Sequence, residues 1–371
     1  MMNKHAKKWG SALLAAGILT GVAVIPVSYT EAASTKQQTA VQQPGVSIQW
    51  NGKTLSTKGV QVNGSTLIPV AALRDSLGIP VSYDAKEATY TVGSGYNKLS
   101  IRSFSSPPDT YVSVNGIGTR NMDAKLIGGK LYIPMSLLKD YLGIDAQWNA
   151  AQKTVTLSKS QLNPITVTSQ TLPASSNAKV SYKVKYPQIS GSQLNPEAQQ
   201  AINSVLKKHA EGVLAAGKKM VAEGEATTER PYEFWNDFAI AYNKDGILSV
   251  IMQDYSYLGG AHGMTARKGY TFSLADGKLL QLSDVLKANP NYKKFLNADL
   301  KKKVDALQGG EGFDKFKELK ADQNFYVTNS GVTIVFDLYE YAPYAYGIPE
   351  FTYSFAQLLP QGGKPFAGQN E

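Results

Sequence analysis

The sequence predicts an α+β protein: an N-terminal domain made from a repeated β-β-α-β-β unit, then a C-terminal α+β domain with a mostly antiparallel sheet. Three observations carry this. Two stretches of the first half echo each other at a constant offset with no gap. Short segments alternate apolar and polar residues, the period of a half-buried strand. In the second half the helical patterns fall between separate runs of strands, which favours antiparallel pairing over repeated crossovers. The 371 residues are 43% hydrophobic and 18% charged, an ordinary globular balance at a length that suits two or three domains.

The N-terminus stands apart from this pattern. Lys4, Lys7 and Lys8 precede an apolar run from Ala12 to Val27, and small residues follow around Thr30, Ala32 and Ala33. This is the layout of a secretory signal peptide over residues 1–33, with an uncleaved membrane anchor as the alternative. Residues 34–45 are polar and aperiodic and read as a flexible lead. The export signal places the protein outside the plasma membrane, secreted or associated with the cell envelope. Contact with the membrane is expected only through an uncleaved N-terminus.

The first domain spans 46–158. Gly64-Ser-Thr-Leu-Ile-Pro69 is echoed by Gly129-Lys-Leu-Tyr-Ile-Pro134, and Leu73-Arg-Asp-Ser-Leu-Gly-Ile79 by Leu138-Lys-Asp-Tyr-Leu-Gly-Ile144. Tyr83 matches Trp148, and Thr89-Tyr-Thr91 matches Thr154-Val-Thr156. Each unit reads as a hairpin turning at Asn63-Gly64 or Gly128-Gly129, then a strand ending in Ile-Pro. A short helix opened by that proline follows, closed by Gly78 or Gly143, and two short strands complete the unit. Extra strands are expected at Lys98–Phe104 and Tyr111–Asn115. These stretches resemble the copper amine oxidase N-terminal-like stalk domain. The resemblance implies a spacer or envelope-binding role, since this module occurs on many exported proteins that are not oxidases.

Residues 159–179, rich in Ser, Thr, Gln, Asn and Pro, read as a linker or domain boundary, and the two flanking domains are expected to fold independently. The second domain spans 180–360, with a tail at 361–371. Its first strand alternates Val180, Tyr182, Val184 and Tyr186 with polar residues. Asn195-Pro-Glu197 is a helix start with N-cap, proline at the first position and an acid in the first turn. Three or four strands follow between Glu233 and Leu282, with turns at Asn243–Gly246, Gly259-Gly260 and Asp276-Gly277. Helices start at Ser283 and at Pro290 or Asn291. The last strands are expected at Phe325–Thr328, Val332–Tyr339 and Phe351–Phe355. The motifs Asp254-Tyr-Ser-Tyr-Leu-Gly-Gly-Ala-His262 and Phe336-Asp-Leu-Tyr-Glu-Tyr-Ala-Pro-Tyr-Ala-Tyr-Gly347 resemble the extracellular domain of RsiV-type anti-sigma factors, a module also fused to some peptidoglycan deacetylases. In the anti-sigma branch the family property is lysozyme binding, so the resemblance implies lysozyme as an extracellular partner.

Several chemistries are disfavoured. No cysteine is present, which removes disulfides, thiolate nucleophiles and sulfur-ligated metals. Copper amine oxidation uses three histidine ligands and a tyrosine-derived cofactor, but only His209 and His262 remain beyond the signal segment. No Gly-x-Ser-x-Gly elbow, phosphate loop or EF-hand loop appears. No cofactor, metal site or catalytic residue is assigned, and the protein is read as not an enzyme. The net charge of +9 suits an anionic wall, and its basic residues are scattered rather than clustered for nucleic acid. An anti-sigma factor is expected to carry a sigma-binding segment before its membrane helix, and a deacetylase a catalytic domain with metal-binding Asp and His. The sequence shows only about ten residues before the apolar run and a Gly/Pro/Gln tail after 360. The expectation is a non-enzymatic envelope protein of Gram-positive type that binds a cell-wall polymer or an extracellular protein. The alternatives are an accessory enzyme acting on peptidoglycan and a membrane-anchored envelope-stress sensor.

Candidate contacts lie in or just before two loops expected at one end of the second sheet, Gly259–Gly263 and Pro343–Gly347. They are Tyr257, Gly259, Gly260, His262, Tyr341, Tyr344 and Tyr346. Glycine lets backbone approach a partner, and tyrosine gives contact area at low entropic cost. For His262 two readings stand: a ligand contact or general base, and a polar residue pinning a glycine turn. The aromatic run from Tyr339 to Tyr353 also fits two core strands. Glu340 and Glu350 fit an acid pair or, more commonly, glutamates on the polar face of strand ends.

Overall fold

Asn63-Gly64 and Gly128-Gly129 set the frame of the first half. All four residues have positive φ, at 49°, 79°, 56° and 73°, as tight hairpins of matching twist require. In this computed structural model residues 45–105, 108–119, 122–307 and 313–367 are described. The expected signal peptide at 1–33, the lead up to residue 44 and the end of the tail at 368–371 lie outside the described residues.

In chain order the first half contains β1 (Gly45–Trp50), β2 (Lys53–Thr54), β3 (Gly59–Val62), β4 (Ser65–Pro69), α1 (Val70–Leu77), β5 (Val81–Asp84), β6 (Thr89–Ser94) and β7 (Asn97–Ser105). It continues with β8 (Pro108–Val114), β9 (Ile117–Gly118), β10 (Lys125–Ile127), β11 (Lys130–Pro134), α2 (Met135–Tyr141), β12 (Ile144–Asn149) and β13 (Thr154–Lys159). The copies interleave: β4 of the first pairs with β11 of the second inside a sheet ordered β10-β11-β4-β3-β1-β13-β12, with β2 attached to β1. β5 to β9 form a second sheet in chain order. Pro69 and Pro134 are N-caps with extended backbone rather than the first helical residues. The physical reason is the β4–β11 ladder, which holds Pro69 opposite Tyr132 and Pro134 opposite Leu67. Gly78 closes α1 at φ 69°.

The second half contains β14 (Thr166–Thr171), β15 (Val180–Ser190), α3 (Pro196–Glu223), β16 (Tyr232–Lys244), β17 (Ile247–Leu258), β18 (Met264–Ser273), α4 (Leu282–Val285) and α5 (Tyr292–Leu307). After these come β19 (Phe325–Thr328), β20 (Gly331–Val335), β21 (Glu350–Ser354) and α6 (Phe355–Leu358). Strands β14 to β18 form one sheet in chain order and β19 to β21 another. All pairs are antiparallel except β1–β13 and β15–β16. Asn195 caps α3 by accepting from the amides of Glu197 and Ala198. The helix buries Ala198, Ile202, Leu206, Ala210 and Leu214, a stripe at four-residue steps laid on the sheet. The strand expected at Val332–Tyr339 stops at Val335. Its partner begins at Glu350, and the preceding Pro349 has no amide to extend the ladder.

The largest apolar core takes residues from both halves. Ile48, Leu138 and Val155 of the first join Ala239, Ile251, Tyr326 and Ile348 of the second. All described residues belong to one compact unit. The stretch between the halves is fastened by Asn163, whose side chain donates to Asn243 and to the Ile247 carbonyl and accepts from the Gly246 amide. On the far side the end of α2 meets the β19–β20 turn. Asp140 accepts from the Ser330 amide at 2.9 Å, and Asn329 donates to the Lys139 carbonyl.

Candidate functional site

The β17–β18 turn folds as its glycines dictate. Gly259 has φ 72°, and a side chain there would meet Arg230. A Cβ on Gly263 would overlap the Tyr255 ring at 2.3 Å. Tyr257 donates its hydroxyl to the Gly260 carbonyl at 3.0 Å and so braces the turn. This brings His262 against the second loop, where residues Tyr344–Tyr346 form a single 3-10 turn capped by Gly347 at φ 65°. The His262 and Tyr344 rings stack at 3.7 Å and 20°. His262 Nδ1 donates to the Gly263 carbonyl at 3.1 Å, an acceptor only, and Nε2 lies 3.2 Å from the Tyr339 hydroxyl. Tyr339 adopts φ 69°, which tilts its ring to 5.9 Å from Tyr344.

Two loops separated by more than seventy residues thus share one aromatic surface, with Tyr339 40% and Tyr346 44% exposed. Tyr257, Gly259, Gly260, His262, Tyr344 and Tyr346 belong to it or brace it. Tyr341 does not. It is buried, edge-on to Phe336 at 4.9 Å and to Phe316, because the chain has left the strand and turns this residue into the core. Burial, aided by neighbouring Glu340, pushes its phenol up to about 12. Tyr339, absent from the sequence-derived set, takes its place.

Beside this surface runs a cleft where the two halves meet. A cavity of about 440 Å³ is lined by Tyr111, Gly118 and Thr119 from the first half, and by Gln253, Thr265, Arg267 and the Tyr344–Ile348 loop from the second. Arg267 forms its floor and is fully engaged. Its Nη1 donates to both oxygens of Glu350 at 2.9 Å. Its Nη2 donates to Gln253 and to the Gly118 carbonyl, and its Nε also reaches Gln253. The Arg267 and Glu350 side chains are only 8% and 4% exposed. Glu350 is therefore a buried ion-pair partner and not a glutamate on the polar face of a strand end. Glu340 pairs separately with Lys320. Past Arg267 the cleft continues into a second cavity of about 460 Å³ that carries the hydroxyls of Ser136, Ser330 and Thr352.

On the other side of Leu338 and Thr265 lies a groove of about 400 Å³, with Met220, Met264 and Phe234 in its walls and Asp254 and Asp337 at its rim. Asp254 also receives the Nε2 proton of His209 at 2.8 Å, while the Tyr270 hydroxyl meets Nδ1 at 3.0 Å. That triad straps α3 to β17 and β18. His209 and His262 thus serve separate neighbourhoods. Among the described residues no group of three or more His, Cys, Asp or Glu is arranged to hold a metal ion. With its histidines apart, this donor set does not fit copper.

Comparison with known proteins agrees with the two halves. Residues 49–157 match the copper amine oxidase N-terminal domain. Residues 174–265 match the family described as deacetylase PdaC, and 283–356 match DUF3298, a protein family of unknown function. The chain thus carries a match to the copper amine oxidase N-terminal domain ahead of matches to PdaC and DUF3298, and an RsiV-type resemblance of the second half is consistent with them. One curated relative is the peptidoglycan-N-acetylmuramic acid deacetylase PdaC of Bacillus subtilis (strain 168), 25% identical over 170 residues. That match takes 43% of this chain and 34% of the relative, so the chain spans about one third of the relative's length. Among solved structures, a DUF3298 family member from Bacteroides fragilis shares 14% identity at a TM-score of 0.35, covering 50% of this chain and 84% of the other. A DUF3298 protein from Pseudomonas aeruginosa PAO1 shares 16% at 0.36, covering 55% and 94%. The matched domains make this a cell-envelope-associated type of module.

Proposed function

We propose that this chain is an exported, non-enzymatic protein of the cell envelope that binds a wall polymer through the aromatic surface of its second half. The observation that carries this is the His262–Tyr344 stack at 3.7 Å, which joins two distant loops into one exposed tyrosine surface. Such rings offer broad apolar faces with a polar tip, suited to a partly hydrated ligand. The relative's printed name, a peptidoglycan deacetylase, points to the same polymer, and an accessory enzymatic role remains the competing reading. The test is co-sedimentation with purified cell walls. Tyr344→Ala should reduce retention several-fold while the melting temperature stays nearly constant. Full retention by the variant, or its unfolding, overturns the assignment. Acetyl release from purified peptidoglycan by the protein would favour the enzymatic reading instead.

A second reading, an extracellular protein such as lysozyme, draws support from the methionine-walled groove. Its rim holds Asp254 and Asp337, local acids on a chain of net charge +9, which relieve the repulsion a basic partner meets at long range. Asp337→Asn should weaken retention on immobilised lysozyme, with a larger effect at low salt. Equal retention at every salt concentration would remove this reading.

A further inference from the structure

We propose that the cleft between the two halves is a composite site for a neutral sugar ring of a linear glycan, and that the copper amine oxidase N-terminal domain supplies one wall through Tyr111. This rests on the wall-polymer reading above and names its ligand class. Tyr111 is 51% exposed yet lines the same cavity as Tyr344 and Tyr346. Its position is built. A Cβ on Gly118 would lie 2.4 Å from the Tyr111 hydroxyl, so glycine at 118 lets the ring lie along β9. The Gly118 carbonyl is in turn held by Arg267. The wall is thereby fixed to the second half and not left on a loose neighbour.

The chemistry of the cleft selects the ligand. Tyrosine rings present apolar faces to the C–H face of a sugar ring, and Gln253, Thr119 and Thr265 supply polar groups for hydroxyl or acetamido substituents. About 440 Å³ lies within the usual range of small-ligand sites, roughly 300–1,000 Å³. Among the described residues that line the cavity the one charge, Arg267, is cancelled by Glu350 and spends its donors inside the protein. Among the described lining residues a phosphate-rich polymer finds no open cation, whereas an uncharged ring needs none. The adjoining cavity, which shares Gly118, Thr119 and Arg267 and is lined by hydroxyl side chains and by Lys303, itself paired with Asp299, gives a linear chain room to continue.

The test is titration calorimetry of the full chain with an N-acetylglucosamine tetramer, with a glycerol-phosphate polymer as the anionic counterpart. The tetramer should bind, with an affinity nearly unchanged between about 50 and about 500 mM salt. Tyr111→Ala should weaken it about ten-fold or more, Tyr111→Phe should retain it, and neither should shift the melting temperature. Wild-type affinity in Tyr111→Ala overturns the composite site. Salt-sensitive binding of the glycerol-phosphate polymer in place of the tetramer overturns the neutral ring. Retention on walls that depends on Tyr344 without tetramer binding sinks this inference and leaves the broader reading intact. Absence of wall retention in the unmodified protein sinks both.

Discussion

The two copies of the repeat carry the same helix in two surroundings. In α1 the run Leu73-Arg-Asp-Ser lies at the surface beyond Leu73: Arg74, Asp75 and Ser76 are exposed, and Arg74 pairs only with its neighbour Asp75. In α2 the equivalent Asp140 and Tyr141 are 5% exposed each, sealed against the second half. Leu73 and Leu138, both fully buried, do the same work in each copy. The internal faces of a repeat are fixed by its own fold, whereas the outer face takes its character from what it meets. An aspartate is a solvated surface group in one copy and a buried acid in the other, without a change in its sequence position.

The docked side of this contrast depends most on Arg267, which ties Gly118 to Glu350 beneath α2. Arg267→Met leaves the Glu350 carboxylate buried without its partner and should cost about 3–5 kcal/mol in urea unfolding. A cost below about 1 kcal/mol would mean that the halves are held by apolar contact alone. Next in size is the exchange of the residues that distinguish the copies. Tyr141→Ser should destabilise by about 3 kcal/mol, while Ser76→Tyr should stay within about 0.5 kcal/mol of the parent. Equal effects at the two positions would erase the contrast.

A smaller effect concerns pH. Burial raises the Asp140 carboxyl to about 6, against the smaller opposing influence of Ser330 and Lys139, and one of its oxygens has no hydrogen-bond partner. The native state therefore holds this proton more tightly than the unfolded chain does. Its contribution to stability is complete below the ordinary carboxyl value near 3.8 and is lost as pH rises through about 6. The loss is on the order of 2–3 kcal/mol. Asp140→Asn should flatten the stability profile between about pH 4 and pH 6, which equilibrium unfolding across that range would reveal. An unchanged slope would place the titration elsewhere. The smallest expected effect is at the matching position of the first copy, where Asp75→Asn should leave the profile unchanged.

What the sequence made legible was local. Asn63-Gly64, Gly78 and Asn195-Pro-Glu197 each specify a turn or cap within a few residues, and each sits where its chemistry requires. The Gly259–Gly263 turn and the Pro343–Gly347 loop, expected at one end of a single sheet, meet instead between two sheets, brought together by the His262–Tyr344 stack. The choice of Tyr341 as a contact misled, since the strand expected to reach Tyr339 ends at Val335 and the chain then turns Tyr341 into the core. Arg267 and Glu350 are each ordinary polar residues in their own stretch, and only folding across 83 positions shows them as a buried pair. Tyr111 carried no site signal, because its partners lie in the other half. One clue to docking was present: bulky Tyr141 stands where the first copy has Ser76.

The parallel ladder of β1 with β13 has a mechanical meaning. Ser47 lies opposite Thr154 and Trp50 opposite Leu157, so the first strand of the repeat domain and its last run side by side in the same direction. Traction on the chain ahead of Gly45, opposed by traction beyond Lys159, drags the two strands past each other along their length. Every rung between them carries the load at once, instead of parting one after another as in a peeled hairpin. Under such shear the lifetime of the linkage is governed by the rate of rupture and not by the equilibrium free energy of unfolding. A pull along that line would therefore meet all rungs of the β1–β13 ladder together.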